Sequence, residues 1–176
     1  MSNEEIQGRN LISHGRFSAG WDTHWKHNGQ GAARTFTDPA YGNYLMMNRL
    51  AEVVQVVALP VFTQEQMQGV KHRIGLAYEN HGDGPDSKIV VTTSSGKEFT
   101  IDLSGKPPGG TLADWNLYPL KELDVVEQTD LDVSVKLCGP NLGGSSGLRI
   151  SDVVVDVRLA PLVLTNIQLD DRVYEP

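Results

Sequence analysis

The sequence is poor in the residues on which several other protein classes rely. Its only cysteine is Cys138, so an internal disulfide is excluded and stability must come from an apolar core. Basic residues are also in the minority, with 15 Lys and Arg against 22 Asp and Glu and a net charge of −7. A chain this acidic lacks the basic face that nucleic acid or an anionic membrane requires, so neither is expected as a partner.

No segment is long and apolar enough to cross a membrane. The longest apolar run, residues 53–61, is interrupted by Gln55 and Pro60 and is far shorter than a membrane-spanning helix. The N-terminus also lacks the basic and apolar regions of a secretory signal. We therefore expect no membrane insertion, and either a cytoplasmic location or export by a signal-independent route.

Helical periodicity is absent as well, and short alternating segments separated by Gly, Pro, Asn and Asp take its place. This pattern is typical of an all-β sandwich or barrel. The length of 176 residues suits one domain. We predict an N-terminal tail at residues 1–9, a β-sandwich domain at residues 10–160, and an extension at residues 161–176. The extension is interpreted as an edge strand, with a link to a partner as the alternative.

Alternation and turn residues predict the individual strands, which we place at residues 10–17, 33–36, 44–47, 52–59, 70–79, 88–93, 98–103, 123–126, 130–137 and 148–159. Segment 52–59 is apolar on both faces, which predicts a strand covered on both sides. Segment 130–137 alternates strictly, so Leu131 is expected to point inward. The apolar residues 150 and 153 are three apart, which predicts a β-bulge near Ser151 and Asp152.

The opening segment resembles carbohydrate-binding modules of the galactose-binding-domain-like, jelly-roll type. The residues that carry this resemblance occur in the family's order and are Asn10, Leu11, Gly15, Phe17, Trp21 or Trp25, Gln55 and Asp152. The resemblance implies a β-sandwich of jelly-roll topology and a lectin-like, sugar-binding function. It also implies a structural Ca²⁺ to which Asp152 would contribute. Ser18 and His14 depart from the family pattern, because they stand where members often have a carboxylate and an Asn.

Sugar recognition requires aromatic faces for stacking and planar polar groups for hydroxyls, and two surfaces offer them. The loop FTDPAYGNY combines Asp38, Tyr41, Asn43 and Tyr44. The open face of strand 70–79 carries Arg73 and Glu79, with room expected above Gly75. The candidate carbohydrate-binding residues are therefore Trp21, Asp38, Tyr41, Asn43, Tyr44, Arg73, Glu79 and Tyr118.

Other conspicuous side chains are interpreted as structural. Large aromatics favour a core position, and the ones assigned to it are Trp25, Trp115, Phe17, Phe36, Phe62 and Phe99. Gln55 is expected to satisfy backbone groups between the two sheets. His72 lies on the apolar face of its strand, so we expect a hydrogen-bonded core histidine.

The residues 143–147 match the G-x-S-x-G motif of serine hydrolases, but their context does not. A nucleophile elbow needs a helix after Ser145, and a strand pattern follows instead, with no His further along the chain. We therefore expect no enzyme. The leading hypothesis is a non-catalytic domain that binds a glycan or polysaccharide. The alternative is a structural or protein-interaction module, such as an assembly or attachment subunit, that forms a homo-oligomer or part of a larger assembly.

Overall fold

The computed structural model describes residues 9–39, 42–67, 69–81, 86–104, 116–141 and 147–159. Its ten strands are β1 (Lys26–His27), β2 (Ala33–Asp38), β3 (Gly42–Met47), β4 (Glu52–Ala58), β5 (Val70–His81), β6 (Lys88–Thr93), β7 (Glu98–Asp102), β8 (Asn116–Glu122), β9 (Asp132–Cys138) and β10 (Gly147–Leu159). A 3-10 turn at Trp21–Thr23 and one helical turn, α1 (Gln64–Met67), are the helical pieces of this part of the chain. Neither has the length that a bilayer-spanning helix needs.

The strands form two five-stranded antiparallel sheets. Sheet 1 has the order β1-β4-β9-β6-β7, and sheet 2 has the order β2-β3-β10-β5-β8. Strands that are neighbours in a sheet are often distant in the sequence, as when β10 inserts between β3 and β5. The all-β prediction is confirmed, and the architecture is a β-sandwich of jelly-roll type. The predicted domain boundaries stay a prediction, and residues 161–176 lie outside the described residues.

The core fills the space between the two sheets. Alternate residues of β4 and β9 from sheet 1 meet alternate residues of β5 and β10 from sheet 2, and most of them are buried apolar side chains. The outer face of sheet 1 is open, so the prediction that β4 is covered on both sides is wrong: Val56 is 64% exposed. Leu131 is likewise 65% exposed rather than inward, because it precedes β9, which begins at Asp132.

Residues 10–17 form a loop and not the predicted strand, since His14 and Phe17 adopt the left-handed region with φ of 52° and 50°. Gln55 holds this loop on β4: its Oε1 accepts a hydrogen bond from Ser13 N at 2.8 Å, and its Nε2 donates to Ser13 O at 2.9 Å. Trp25 Nε1 donates to the same carbonyl at 3.0 Å. Gln55 thus satisfies backbone groups between the layers, as the sequence predicted.

Two further predictions concern β8 and β10. The bulge in β10 is confirmed, because its register against β5 shifts between Ser151 and Val154. Strand β8 was not predicted, whereas the strand expected at residues 123–126 is a turn. His72 was predicted to be a hydrogen-bonded core histidine. It is a core residue, 5% exposed, but its Nε2 has no hydrogen-bond partner within the described residues.

Candidate functional site

The outer face of sheet 2 carries two aromatic side chains on adjacent strands. Phe36 of β2 lies directly opposite Tyr44 of β3, and the rings stack with centroids 5.8 Å apart and an interplanar angle of 22°. Phe36 was expected in the core, but it is 48% exposed, since β2 turns it away from the sandwich. We call Phe36 and Tyr44 the aromatic platform. A preoriented pair of rings, with Phe36 exposed and Tyr44 partly exposed, offers the surface that stacking on a sugar requires.

A charged pair continues the aromatic platform across the same face. Arg149 of β10 lies opposite Glu79 of β5, and Nη1 is 3.1 Å from Oε2. The guanidinium carbon of Arg149 is 5.9 Å from the centroid of the Tyr44 ring, within cation–π range. The Glu79 side chain is only 3% exposed and that of Arg149 is 23% exposed. Glu79 therefore orients the guanidinium, while Arg149 retains contact with solvent.

The floor beside these groups is made of small side chains. Ser151 and Ala77 are register partners, each only 1% exposed, and Ser151 Oγ donates to the Asn43 carbonyl at 2.7 Å. The space expected above Gly75 is occupied, because a Cβ built on Gly75 would lie 3.1 Å from Leu120 Cδ2. A depression of about 250 Å³ remains next to it, lined mainly by apolar groups of β5, β8 and β10.

Arg73 also lies on the outer face of sheet 2, but it is paired with Asp156 and makes no contact with the aromatic platform. It binds Asp156 of β10 through two hydrogen bonds, Nε to Oδ1 at 2.8 Å and Nη2 to Oδ2 at 2.5 Å. The hydrogen bond with Asp156 raises the pKa of Arg73, and its charge is permanent. Arg73 and Glu79 are six positions apart along β5, which corresponds to about 20 Å. Arg73 is therefore remote from the aromatic platform.

The remaining sequence-predicted site residues are distributed over several places. Trp21 packs edge-on against the core residue Phe17, with ring centroids 5.9 Å apart. Tyr118 packs against the core, and Lys121 Nζ lies 5.0 Å from its ring centroid. Asn43 accepts a hydrogen bond from Thr37 Oγ1 at 2.7 Å.

Asp38 ends β2, two residues after Phe36, and therefore lies at the edge of the same face. Tyr41, Trp115 and Ser145 lie outside the described residues. The structure thus brings Tyr44 and Glu79 together, with Asp38 nearby.

Sequence reasoning missed Phe36 and Arg149. Side chains alternate between the two faces of a strand, so the sequence of β2 places Phe36 and Asp38 on one face and Thr35 and Thr37 on the other. Which of the two faces is the outer one depends on the pairing of β2 with β3, and this is not visible in the sequence. Arg149 gave a clearer signal, because it alternates with inward apolar residues at the start of β10.

The outer face of sheet 1 has a larger depression of different chemistry. It measures about 750 Å³ and is lined by charged and amide side chains that include Lys88, Lys136 and Glu98, with no aromatic ring among its lining residues. Cys138 lies at its border, where burial raises the pKa of the thiol and keeps it protonated. A depression whose described lining contains no stacking ring is a poorer match for a sugar.

The position of the implied calcium lies where the loop of residues 10–17, which we call the N-terminal loop, meets the bulge of β10. The Asp152 carboxylate is paired there with Arg16, Nε to Oδ1 at 2.6 Å. Ser18 Oγ lies 3.1 Å from His14 Nδ1. Within the described residues, no three His, Cys, Asp or Glu side chains converge in a way that could hold a metal. Since Ca²⁺ requires several oxygen ligands, usually with more than one carboxylate, the residues at this position do not fit it.

Comparison with known proteins identifies structural relatives only. No protein-family profile and no curated protein sequence matches this chain. The solved structure of TmCBM61 in complex with β-1,4-galactotriose is similar with a TM-score of 0.60 and 16% identity, covering 84% of this chain and 98% of that one. A family 16 carbohydrate-binding module, Module-2, is similar with a TM-score of 0.55 and 13% identity, covering 83% and 99%.

A third similar structure is the enzymatically active domain of tailspike protein 4 from bacteriophage CBA120. Its TM-score is 0.56 at 13% identity, and the match covers 84% of this chain but 21% of that one. At these identities the likeness establishes the fold. The resemblance inferred from the opening segment is therefore confirmed at that level, because this chain shares the β-sandwich fold of carbohydrate-binding modules.

Proposed function

We propose that this chain, which has the fold of carbohydrate-binding modules, is a non-catalytic domain that binds a glycan on the outer face of sheet 2. The observation that supports this most strongly is the continuity of the aromatic platform with Arg149 and Glu79. These four side chains lie on β2, β3, β10 and β5, which are successive neighbours in the sheet. Three strand spacings span about 14 Å, which suits a short oligosaccharide lying across the strands.

Each group has a distinct role in this proposal. Phe36 and Tyr44 stack on the apolar faces of sugar rings. Arg149 donates hydrogen bonds to hydroxyl groups, and buried Glu79 holds the guanidinium in place. Affinity would lie in the micromolar to millimolar range, because the contact area is small.

The ligand class that fits best is a neutral glycan. The charge of Arg149 is already balanced by Glu79 at 3.1 Å, so a sugar carboxylate would have to compete with an existing partner. The net charge of −7 further disfavours an acidic polysaccharide. Hydroxyl groups, in contrast, accept hydrogen bonds from Arg149 without disturbing this pair.

Isothermal titration calorimetry against neutral oligosaccharides tests the proposal. We expect saturable binding to at least one of the β-linked galacto-, gluco- or xylo-oligosaccharides. Phe36→Ala should weaken that binding about tenfold, equivalent to about 1.4 kcal/mol. The matched control is Val56→Ala, which removes an exposed apolar side chain from the other sheet and should leave affinity unchanged. Absence of binding to every neutral glycan, or equal losses in both variants, would contradict the proposal.

A second candidate function is a structural or protein-interaction module. Exposed apolar side chains support it: Val61 is 84% exposed, and Val56 and Leu131 are also largely exposed where β4 ends and β9 begins. The tailspike neighbour shows the same fold as a fifth of a larger chain. Sedimentation of the wild type and of a Val56→Ser/Leu131→Ser variant would distinguish the two functions, since an assembly through this surface would be lost in the variant.

A further inference from the structure

The N-terminal loop docks closely on the β10 bulge. Gly15 O accepts a hydrogen bond from Val153 N at 3.0 Å, and a Cβ on Gly15 would lie 2.1 Å from Val153 O. The two backbones therefore approach so closely that only glycine fits at position 15. Both facing segments also contain non-glycine residues at positive φ, namely His14, Phe17 and Asp152 at 52°, 50° and 50°. Such backbone conformations persist only where surrounding interactions maintain them.

Two polar contacts lie at this junction. Arg16 and Asp152 form an ion pair between the loop and the bulge, with Nε 2.6 Å from Oδ1. His14 and Ser18 lie within hydrogen-bond distance across the loop itself, at 3.1 Å between Nδ1 and Oγ. Together these contacts engage His14, Ser18 and Asp152, the three positions that the family resemblance relates to the implied calcium site.

We propose that the Arg16–Asp152 ion pair, supported by the His14–Ser18 contact, takes the place of the calcium ion that the family resemblance implies, as the clamp between the loop and β10. A guanidinium brings positive charge to the Asp152 carboxylate, which is the electrostatic task of a cation there. It also repels a dication from the same oxygen. The clamp therefore makes the fold independent of calcium, and it does so whether or not the outer face of sheet 2 binds sugar.

Thermal unfolding of the full chain tests the clamp. The wild type should have the same Tm in excess CaCl₂ and in EDTA. Arg16→Ala should lower Tm by about 2–4 °C, and the difference from the wild type should shrink at high salt, because the pair is exposed to solvent. Arg158→Ala, which removes an exposed arginine from β10, is the matched control and should leave Tm unchanged.

A second variant tests whether the residues at positions 16 and 18 determine if this junction binds calcium. Arg16→Ala/Ser18→Glu removes the guanidinium and supplies a second carboxylate, so CaCl₂ should raise its Tm and calorimetry should detect one bound ion. Two results would overturn the proposal. One is a wild-type Tm that falls in EDTA and recovers with calcium. The other is a double variant that folds but does not respond to calcium.

Discussion

Arg149 and Glu79 form a cross-strand pair that contributes to stability and, in the proposed function, to recognition. Glu79 points outward from sheet 2 and is nevertheless buried, and its carboxylate is paired with the guanidinium of Arg149 at 3.1 Å. Loss of one partner from a buried pair leaves an uncompensated charge, which costs far more than the pair contributes. The same bond keeps Arg149 at the edge of the aromatic platform.

We predict that Arg149→Leu lowers the free energy of unfolding by about 3 kcal/mol, because it leaves the Glu79 carboxylate buried without its partner. Urea denaturation provides the measurement. Arg34→Leu, an exposed arginine on β2, is the matched control and should change stability by less than about 0.5 kcal/mol. A double variant Arg149→Leu/Glu79→Leu should recover much of the loss, and failure to recover it would contradict this explanation.

His72 is a second residue whose burial has a measurable consequence. Burial lowers the pKa of His72, and the Asp130 charge opposes this only in part. The native state therefore binds a proton less readily than the unfolded chain. The stability that neutral His72 contributes is fully present above pH of about 6.5 and is lost as pH falls through that value toward the lower native pKa.

We predict that His72→Gln flattens the loss of stability between about pH 7 and about pH 5, because glutamine does not titrate. Free energies of unfolding measured by urea at several pH values would show this as a smaller slope than in the wild type. If the free energy of unfolding depends on pH as steeply in the variant as in the wild type, groups other than His72 cause the pH dependence.

At the scale of elements, the N-terminal loop closes one side of the sandwich. It binds β10 through backbone hydrogen bonds such as Leu11 N to Val155 O at 2.7 Å, and it binds β4 through Gln55. The loop consequently joins sheet 2 to sheet 1. This explains why Gln55 interrupts the apolar run of β4 at residues 53–58.

We predict that Gln55→Leu destabilises the protein by about 2 kcal/mol, since Ser13 N loses its acceptor in a partly buried setting. Chemical denaturation measures the loss, and hydrogen exchange should become faster first in residues 10–17. Gln30→Leu, an exposed glutamine in the next loop, is the control. Unchanged exchange in residues 10–17 would show that Gln55 does not hold the loop.

At the scale of the whole molecule, two outer faces compete for the functional role, and charge helps to separate them. The outer face of sheet 2 has the aromatic platform and an ion pair. The depression on the outer face of sheet 1 is lined by charged and amide groups, with no aromatic ring among the described residues that line it. The net charge of −7 acts over both faces. Because a neutral ligand carries no charge for that field to act on, stacking should dominate its binding.

We predict that affinity for a neutral glycan changes by less than about twofold between low and high salt, since screening alters only interactions between charges. Calorimetry at two NaCl concentrations measures this. An acidic polysaccharide, in contrast, should bind weakly at low salt. Strong binding of an acidic polysaccharide that disappears at high salt would contradict the assignment of a neutral ligand.

The amount that could be predicted differs between the fold and the site. Alternation predicted most of the strands, because burial of every second residue leaves a direct trace in the sequence. It did not predict β8, whose segment NLYPLKE lacks clean alternation. For the proposed site, residue type made Tyr44 and Glu79 candidates, and their role stays a prediction. Phe36 was assigned to the core because an aromatic residue does not reveal which face of a sheet it occupies.

By itself, the sequence determined the β-sandwich, the β10 bulge and the structural role of Gln55, since each of these follows from local periodicity or from one polar residue in an apolar run. Only the tertiary structure decided which residues meet. The alignment of Phe36, Tyr44, Arg149 and Glu79 depends on β10 lying between β3 and β5. The pairing of Arg16 with Asp152, which are 136 residues apart, depends on the N-terminal loop docking on β10. Such neighbours are set by strand order, and strand order results from burying the whole core at once.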